Sequence, residues 1–231
     1  MYDFQAGEVL LVDKPLQWTS FDVVNKIKWL LKKELGFKKI KVGHAGTLDP
    51  LATGLLIVCT GKKTKTIPEI QDQAKTYTGE FELGSITPSY DLETEVEWKS
   101  DTQHLSLEDL EKAAEDLSGE FDQLPPIFSA KKIKGKRAYE LARKGEKPKM
   151  KSKRIQVFQF DIREVNLPSV AFEVHCSKGT YIRSLAHDFG EKLAVGAYLK
   201  SLRRTKIGAF KVSAAESIES LSAKIKAQAA E

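Results

Sequence analysis

The segment Gly43-His-Ala-Gly-Thr-Leu-Asp-Pro-Leu-Ala-Thr-Gly54 carries three glycines and one proline and leads directly into the apolar run Leu55–Cys59. Glycine permits backbone conformations closed to other residues and proline fixes φ, so the segment predicts a loop of constrained shape ahead of a buried strand. Loops anchored on buried strands often carry functional side chains, and Asp49 is the acid of this loop. Judged by itself, Asp49 is also typical of a residue that makes a turn or caps a backbone NH.

Outward from this loop, helical and strand periodicities alternate along the chain. Thr19 and Ser20 offer N-caps to a helix that stops near Gly36, and Thr76–Leu83 alternates as a half-buried strand does. We further predict strands at Glu8–Val12, Ile155–Val165, Val170–Cys176 and Ile207–Val212, and helices at Leu107–Leu117, Tyr139–Arg143, Ile182–Leu193 and Ser217–Ala229. Several strands follow one another without helices between them, which predicts an α+β fold with a mixed, largely antiparallel sheet. Residues 1–231 are expected to form one domain, since no repeat or long linker is visible.

The composition describes a soluble globular chain of 231 residues, with 41% hydrophobic and 30% charged residues. No apolar run approaches the roughly 20 residues that span a bilayer, and no signal peptide is visible, so a cytoplasmic protein without membrane attachment is expected. Cys59 and Cys176 are therefore expected to be reduced core thiols.

Charge is distributed in blocks of opposite sign, although the formal net charge is only +5. The segment from Lys131 to Arg154 contains twelve lysines and arginines and two acids, and the segment from Lys26 to Lys41 contains seven lysines and one Glu. The segment from Asp91 to Asp122 contains twelve acids and two lysines. The basic blocks could bind a polyanion in a salt-dependent way, although a single charge run is more often a solvated face.

The loop and five further motifs, in the same order along the chain, resemble those of the TruB family of tRNA pseudouridine synthases, which modify the T-loop. The loop Gly43–Gly54 resembles the family's signature. The others are Val12-Asp-Lys-Pro15 with Thr19-Ser20, Lys75-Thr-Tyr77, the segment Leu124–Glu140, and Gly179-Thr-Tyr-Ile-Arg183 followed by Leu202-Arg-Arg204. The resemblance covers Val9 to Ser217. The N-terminal motif usually has a glycine where Leu16-Gln17 stands, so that turn is expected to differ.

The resemblance implies a pseudouridine synthase fold with a central RNA-binding cleft, and a role for each matched residue. Asp49 would be the catalytic carboxylate, Arg183 the arginine that pairs with it, and Tyr77 the aromatic that stacks on the flipped uracil. His44 would hold the T-loop, and Tyr181 and Leu202 would line the uridine pocket. Without the family, we would interpret Tyr77, Tyr181 and Leu202 as core residues, Arg183 as a surface arginine and His44 as structural.

The basic loop resembles the segment that grips the T-arm of tRNA. Its residues Lys131, Lys132, Lys134, Lys136, Arg137 and Arg154 would bind phosphates. The reaction implied needs no cofactor and no metal, and no histidine or cysteine has metal-ligand spacing. Fewer than thirty residues follow Arg204, so we expect no C-terminal RNA-binding PUA domain and, in consequence, weaker or more salt-sensitive tRNA binding. We expect a monomer.

Two alternatives use the same residues differently. A non-catalytic protein that binds or folds RNA would use the basic blocks and lose little when Asp49 becomes Asn. A small-molecule enzyme would need a second carboxylate beside Asp49, which no motif supplies, and would leave the basic blocks unexplained.

Overall fold

The computed structural model describes residues 1–129, 132–133, 135–142, 144–146 and 150–230. The strands are β1 (Val9–Lys14), β2 (Val42–His44), β3 (Ala52–Thr60), β4 (Lys75–Leu83), β5 (Ser85–Ile86), β6 (Glu97–Trp98), β7 (Gly119–Gln123), β8 (Lys132–Ile133), β9 (Lys136–Arg137), β10 (Lys153–Asn166), β11 (Ser169–Cys176), β12 (Ala197–Ile207) and β13 (Phe210–Lys211). The α-helices are α1 (Ser20–Glu34), α2 (Ile67–Asp72), α3 (Leu107–Asp116), α4 (Ala138–Ala142), α5 (Ile182–Lys192) and α6 (Ile218–Ala229). The chain divides into two compact units, Met1–Tyr77 with Leu202–Glu231, and Thr78–Ser201.

The first unit is built around β3, which is buried along almost its whole length. β1 pairs antiparallel with one edge of β3. The other edge is shared, because β12 pairs in parallel with Ala52–Gly54 and β2 pairs antiparallel with Val58–Thr60. Between these two partners, no strand among the described residues pairs with a short part of the β3 edge, and the loop that follows β2 lies there.

Helices α1 and α6 cover one face of this sheet. Thr19 caps α1, accepting a hydrogen bond from the backbone of Asp22 while the Asp22 carboxylate accepts one from the backbone of Thr19. The inner residues of α1 pack on Leu10, Val12, Leu56 and Val58 of β1 and β3 and on α6. Residues of β3 that alternate with these, Leu55, Ile57 and Cys59, pack on the opposite face with Ile70 of α2. β3 is thus buried on both faces, which fixes the loop ahead of it.

The second unit contains a long antiparallel hairpin of β10 and β11, and β7 extends it at the free edge of β10. Next to β11 lies β4, and β12 follows. Four phenylalanines contact one another in the core: Phe81 of β4, Phe160 of β10, Phe172 of β11 and Phe189 of α5. Phe189 contacts Phe81 and Phe160, so α5 packs on β4 and β10. The first turn of α5 contains Arg183.

The structure confirms the predicted α+β class and the mixed, mostly antiparallel pairing. The helices predicted from Thr19-Ser20, Ser106, Ile182 and Ser217 are present within two residues of their predicted ends. The short helix predicted at Tyr139–Arg143 appears as Ala138–Ala142, with Arg143 outside the described residues.

The strand predicted at Ile207–Val212 is wrong. The long strand β12 ends at Ile207, where the predicted strand begins. Within the predicted range, the described residues form only the two-residue strand β13 after that point. The prediction failed because β12 carries four basic residues, and Arg204 among them is buried although a period-two pattern reads it as solvent-facing. Strands β2 and β7 and helix α2 were not predicted either.

Two further properties concern the molecule as a whole. No helix in the described part of the chain combines the length and the hydropathy that a bilayer crossing requires. Cys59 and Cys176 are both buried, in agreement with their predicted place in the core.

Candidate active site

The first unit holds His44, Asp49, Tyr77 and Leu202, and the second holds Tyr181 and Arg183. Asp49 lies in the loop between β2 and β3, after the buried Leu48 and before the exposed Pro50. The loop leaves the sheet where the backbone NH of Ala45 donates to the carbonyl of Ile57 at 2.8 Å. It returns through a turn in which the NH of Ala52 donates to the carbonyl of Asp49 at 3.1 Å.

Ser20 at the start of α1 and Gln17 in the turn before α1 hold the residues on either side of Asp49. The buried Ser20 hydroxyl accepts a hydrogen bond from the NH of Leu48 at 2.8 Å and donates to its carbonyl at 3.2 Å. The NH of Gln17 donates to the carbonyl of Pro50 at 2.8 Å. Both neighbours of Asp49 are therefore fixed, while the Asp49 side chain stays partly exposed.

Gln17 adopts the left-handed backbone conformation, with φ of 65°. Gln17 belongs to the pair Leu16-Gln17, where the resemblance to the TruB family leads us to expect a glycine. Glycine adopts this conformation without steric cost. The turn thus keeps a glycine-like backbone although the residue is glutamine, and the NH that reaches Pro50 depends on that conformation.

Arg204 supports the same loop from β12 and is only 1% exposed. Its Nε donates to the carbonyl of Leu55 at 2.8 Å, on the part of the β3 edge that has no neighbouring strand. Its Nη2 and Nη1 donate to the carbonyls of Gly46 at 3.0 Å and Thr47 at 3.4 Å. The guanidinium therefore takes the place of a neighbouring strand at this edge and ties the loop to it.

Gly54 lets β12 approach β3 closely enough for these contacts. Its φ is 98°, and a Cβ there would lie 2.4 Å from the carbonyl oxygen of Arg204, its cross-strand partner. Any side chain at this position would push the two strands apart. The adjacent Arg203 makes a separate contact, a bidentate ion pair with Asp13 at 2.6 and 3.0 Å, at the partly exposed surface.

Lys14, at the end of β1, is fully buried and donates to the carbonyls of Pro15 at 2.9 Å and Trp18 at 2.5 Å. Burial lowers its pKa to about 8; the Asp49 carboxylate opposes this shift and the Arg204 guanidinium adds to it. Burial, followed by the charge of Arg204, lowers the pKa of His44 at the end of β2. The lowered pKa favours the neutral form of the His44 imidazole, whereas the Lys14 ammonium interacts with the Asp49 carboxylate.

Tyr77 and Leu202 belong to the parts of β4 and β12 that lie in the first unit, and these two strands are adjacent in the sheet. Tyr77 is buried and Leu202 is partly exposed. The hydroxyl of Thr205 on β12 donates to the carbonyl of Thr76 at 3.2 Å, which links the two strands beside Tyr77.

In the second unit, Arg183 is buried at the start of α5, contrary to the interpretation of a surface arginine. Its Nη1 lies 3.4 Å from the carboxylate of the buried Asp91 and donates to the carbonyl of Ser89 at 3.4 Å. The backbone NH of Glu93 donates to the same carboxylate at 3.0 Å. No sequence pattern indicates this partner, because Asp91 opens the acidic block Asp91–Asp122 and resembles its other acids.

Tyr181, the residue that precedes α5, is held through its backbone. Its NH donates to the side-chain carbonyl of Gln123 at 2.8 Å, and the Gln123 amide donates back to the carbonyl of Tyr181 at 3.0 Å. The Ser184 hydroxyl donates to the carbonyl of Leu124 at 2.7 Å. Gln123 is a second residue that the sequence did not indicate, since glutamine at a strand end has no distinctive pattern.

The predicted phosphate contacts are described only in part. Lys131 and Lys134 lie outside the described residues, as do the side chains of Lys132, Lys136 and Arg137. Arg154 is 60% exposed on β10 and lies 3.5 Å from Glu120 and 4.0 Å from Asp122 of β7. Among the described side chains, no group of three or more His, Cys, Asp or Glu is placed to bind a metal ion.

Comparison with known proteins places the chain in a family. Residues 32–182 match the sequence model described as TruB family pseudouridylate synthase (N terminal domain), and residues 183–231 match that of the tRNA pseudouridylate synthase B C-terminal domain. The tRNA pseudouridine synthase B of Phocaeicola vulgatus is 52% identical, over 94% of this chain and 93% of its own length. That of Flavobacterium johnsoniae is 54% identical, over 91% and 92%.

Solved structures share the fold at lower identity. A chain of an H/ACA ribonucleoprotein bound to a substrate RNA containing 2′-deoxyuridine is 26% identical with a TM-score of 0.68. A chain of a Cbf5–Nop10–Gar1 complex is 27% identical with a TM-score of 0.72. This chain is covered to 95% and 98%, but it spans only 53% and 60% of the length of those chains.

Proposed function

Because this chain belongs to the TruB family of pseudouridylate synthases, we propose that it isomerises uridine to pseudouridine in tRNA, at position 55 of the T-loop. The curated relatives match it over nearly their full length and bear the name tRNA pseudouridine synthase B. We further propose that it acts as a monomer in the cytoplasm, where tRNA is available.

The reaction breaks the bond between N1 of uracil and C1′, turns the base and forms a bond from C5 to C1′. The proton on C5 is lost and N1 gains one, so the product is an isomer and no oxidant is consumed. One carboxylate suffices to start this sequence, as nucleophile at C6 or C1′ or as base at C2′. We assign that role to Asp49.

The observation that carries this assignment is the way the loop holds Asp49. Hydrogen bonds from Ser20 of α1 and from Gln17 in the turn before it fix Leu48 and Pro50 on either side, and Arg204 fixes Gly46 and Thr47. Catalysis depends on holding a reacting group within a fraction of an ångström of its working position. A loop with this many backbone contacts around one partly exposed carboxylate meets that demand.

We assign the remaining predicted residues to binding and positioning. Tyr77, Tyr181, Leu202 and His44 would contact the flipped uridine and its loop, and the basic loop with Arg154 would contact phosphates. Arg183, predicted to serve the catalytic carboxylate, is itself oriented by Asp91. Exchange of Arg183 for Lys keeps the charge and removes the planar fork, so it should lower the rate more than tRNA affinity.

The test incubates the protein with an unmodified tRNA transcript, without added metal or nucleotide, and maps pseudouridine at single-base resolution. Asp49→Asn serves as the matched variant, because it removes the charge and keeps the shape. We expect pseudouridine at position 55 with wild type alone and equal tRNA binding by both. Equal binding with no modification by either protein would refute the catalytic assignment and support a non-catalytic RNA-binding protein.

A substrate with deuterium at C2′ separates the roles open to Asp49. If the carboxylate removes the C2′ proton in the rate-limiting step, single-turnover modification slows with deuterium. An unchanged rate at saturating enzyme excludes rate-limiting removal of the C2′ proton. The roles that then remain for Asp49 in the rate-limiting step are attack at C6 and attack at C1′.

A further inference from the structure

The outward face of α1 carries two large aromatic side chains in solvent. Phe21 is 65% exposed and Trp29 is 47% exposed, although the opposite face of the same helix is fully packed against the sheet and α6. Scattered surface aromatics are common, but two on one helix face beside lysines form a defined surface. We call it the α1 face; its residues are Phe21, Asn25, Lys28, Trp29 and Lys32.

Lysines surround Trp29 on this face. The ammonium groups of Lys26 and Lys33 lie 4.9 and 4.7 Å from the centre of its indole ring. Helical spacing puts Lys28 and Lys32 in the same row as Phe21 and Asn25, because residues three and four apart are neighbours. Helix α1 carries four lysines against two acids, Asp22 and Glu34, so its net charge is positive although the Asp22 carboxylate keeps its charge while it accepts hydrogen bonds from Thr19. The face is therefore basic and aromatic together.

The start of the α1 face is tied to the loop that holds Asp49, through the two hydrogen bonds between Ser20 and Leu48. At about 1.5 Å per residue, Lys28 and Lys32 lie roughly 12 and 18 Å along the helix from Ser20. An RNA with its target uridine at Asp49 has further phosphates and loop bases within that distance.

We propose that the α1 face binds tRNA beyond the target base, with Lys28 and Lys32 contacting phosphates and the indole of Trp29 stacking on an unpaired base. The inference rests on the proposed function, since the ligand is the same tRNA. Lysines supply the electrostatic attraction to the backbone, and aromatic rings stack on bases of any sequence. Both kinds of group are present here, on a rigid helix.

The first experiment measures the dissociation constant for full-length tRNA at several salt concentrations. The double variant Lys28→Ala/Lys32→Ala should bind more weakly and lower the slope of log affinity against log salt by about two. Trp29→Ala should weaken binding by about fivefold or more. The control is Lys206→Ala/Lys211→Ala, which removes two exposed lysines of the same unit outside α1. Equal effects of the two double variants would overturn the inference.

The second experiment uses fluorescence, which a purely structural role of Trp29 leaves unchanged. Trp18→Phe/Trp98→Phe leaves Trp29 as the reporter. Stacking predicts quenching that saturates with the measured tRNA affinity. Unchanged fluorescence at saturating tRNA, or a response to anionic phospholipid vesicles instead of tRNA, overturns the inference. Quenching by tRNA without pseudouridine formation refutes the proposed function and keeps this inference. Pseudouridine formation without quenching keeps the proposed function and overturns this inference.

Discussion

Replacement of Arg204 by Met tests whether a buried guanidinium, rather than the motif as such, holds the catalytic loop. Arg204 donates to three backbone carbonyls, at 2.8, 3.0 and 3.4 Å. Methionine has similar bulk and donates to none of them, so the buried contact to Leu55 and the partly buried contacts to Gly46 and Thr47 are all lost. The change therefore removes the link between the β3 edge and the loop without opening a large cavity.

The expected cost follows from these contacts. A hydrogen bond that involves a charged group contributes roughly 1.5–3 kcal/mol, and two of the three have good length. Counting the third as weak, and allowing for apolar contacts that methionine gains, we expect a loss of about 3–5 kcal/mol in unfolding free energy. Displacement of Asp49 by about 1 Å should lower kcat about 100-fold. The dissociation constant for tRNA should change much less, since Arg204 is buried.

Urea unfolding measures the first quantity, and single-turnover pseudouridine formation at saturating enzyme measures the second. Arg203→Met is the matched control: it removes the neighbouring arginine of the same motif, whose ion pair with Asp13 is partly exposed. We expect it to cost less than about 1 kcal/mol. If Arg203→Met and Arg204→Met behave alike, or if Arg204→Met keeps full kcat while folded, then the loop does not depend on the guanidinium.

Three further predictions concern the same loop. Ser20→Ala removes both hydrogen bonds to Leu48 and should cost about 1–3 kcal/mol in urea unfolding, with kcat reduced more than tRNA affinity; a loss of affinity alone would contradict this. Burial lowers the pKa of Lys14 from 10.5 to about 8, so between these pH values the unfolded chain binds a proton that the native protein has released. Wild type should therefore gain stability relative to Lys14→Met as pH rises through this window, and parallel pH profiles would refute the shift. Gln17→Val should destabilise by about 1–2 kcal/mol and Gln17→Gly should be tolerated, because φ at this position is 65°; equal melting temperatures would show that the turn relaxes.

Local sequence signals predicted most of the secondary structure. Thr19-Ser20 and the Ser106–Asp109 pair predicted two helix starts, and Thr19 and Ser106 form reciprocal capping hydrogen bonds with Asp22 and Asp109. The alternation in Thr76–Leu83 and the apolar run at Leu55 marked β4 and β3 correctly. These succeed because each depends on contacts within a few residues of the chain.

The failures share a physical cause. β12 was missed because a buried arginine breaks the alternation, and Arg204 is buried only because carbonyls from residues 46, 47 and 55 surround it. Asp91 was counted as a surface acid for the same reason, since its partner Arg183 lies far along the chain. The burial of a charge depends on partners distant in sequence, and no local pattern shows them.

The sequence by itself determined the family, the class of fold and the identity of the loop around Asp49, because motifs and periodicities are properties of the linear chain. Only the tertiary structure decided how that loop is held. Ser20, Gln17 and Arg204 reach it from α1, the turn before α1 and β12, and they act on its backbone, which has the same chemistry at every position. Hydrogen bonds to backbone leave little trace in sequence, so the supporting contacts became visible only once the chain was folded.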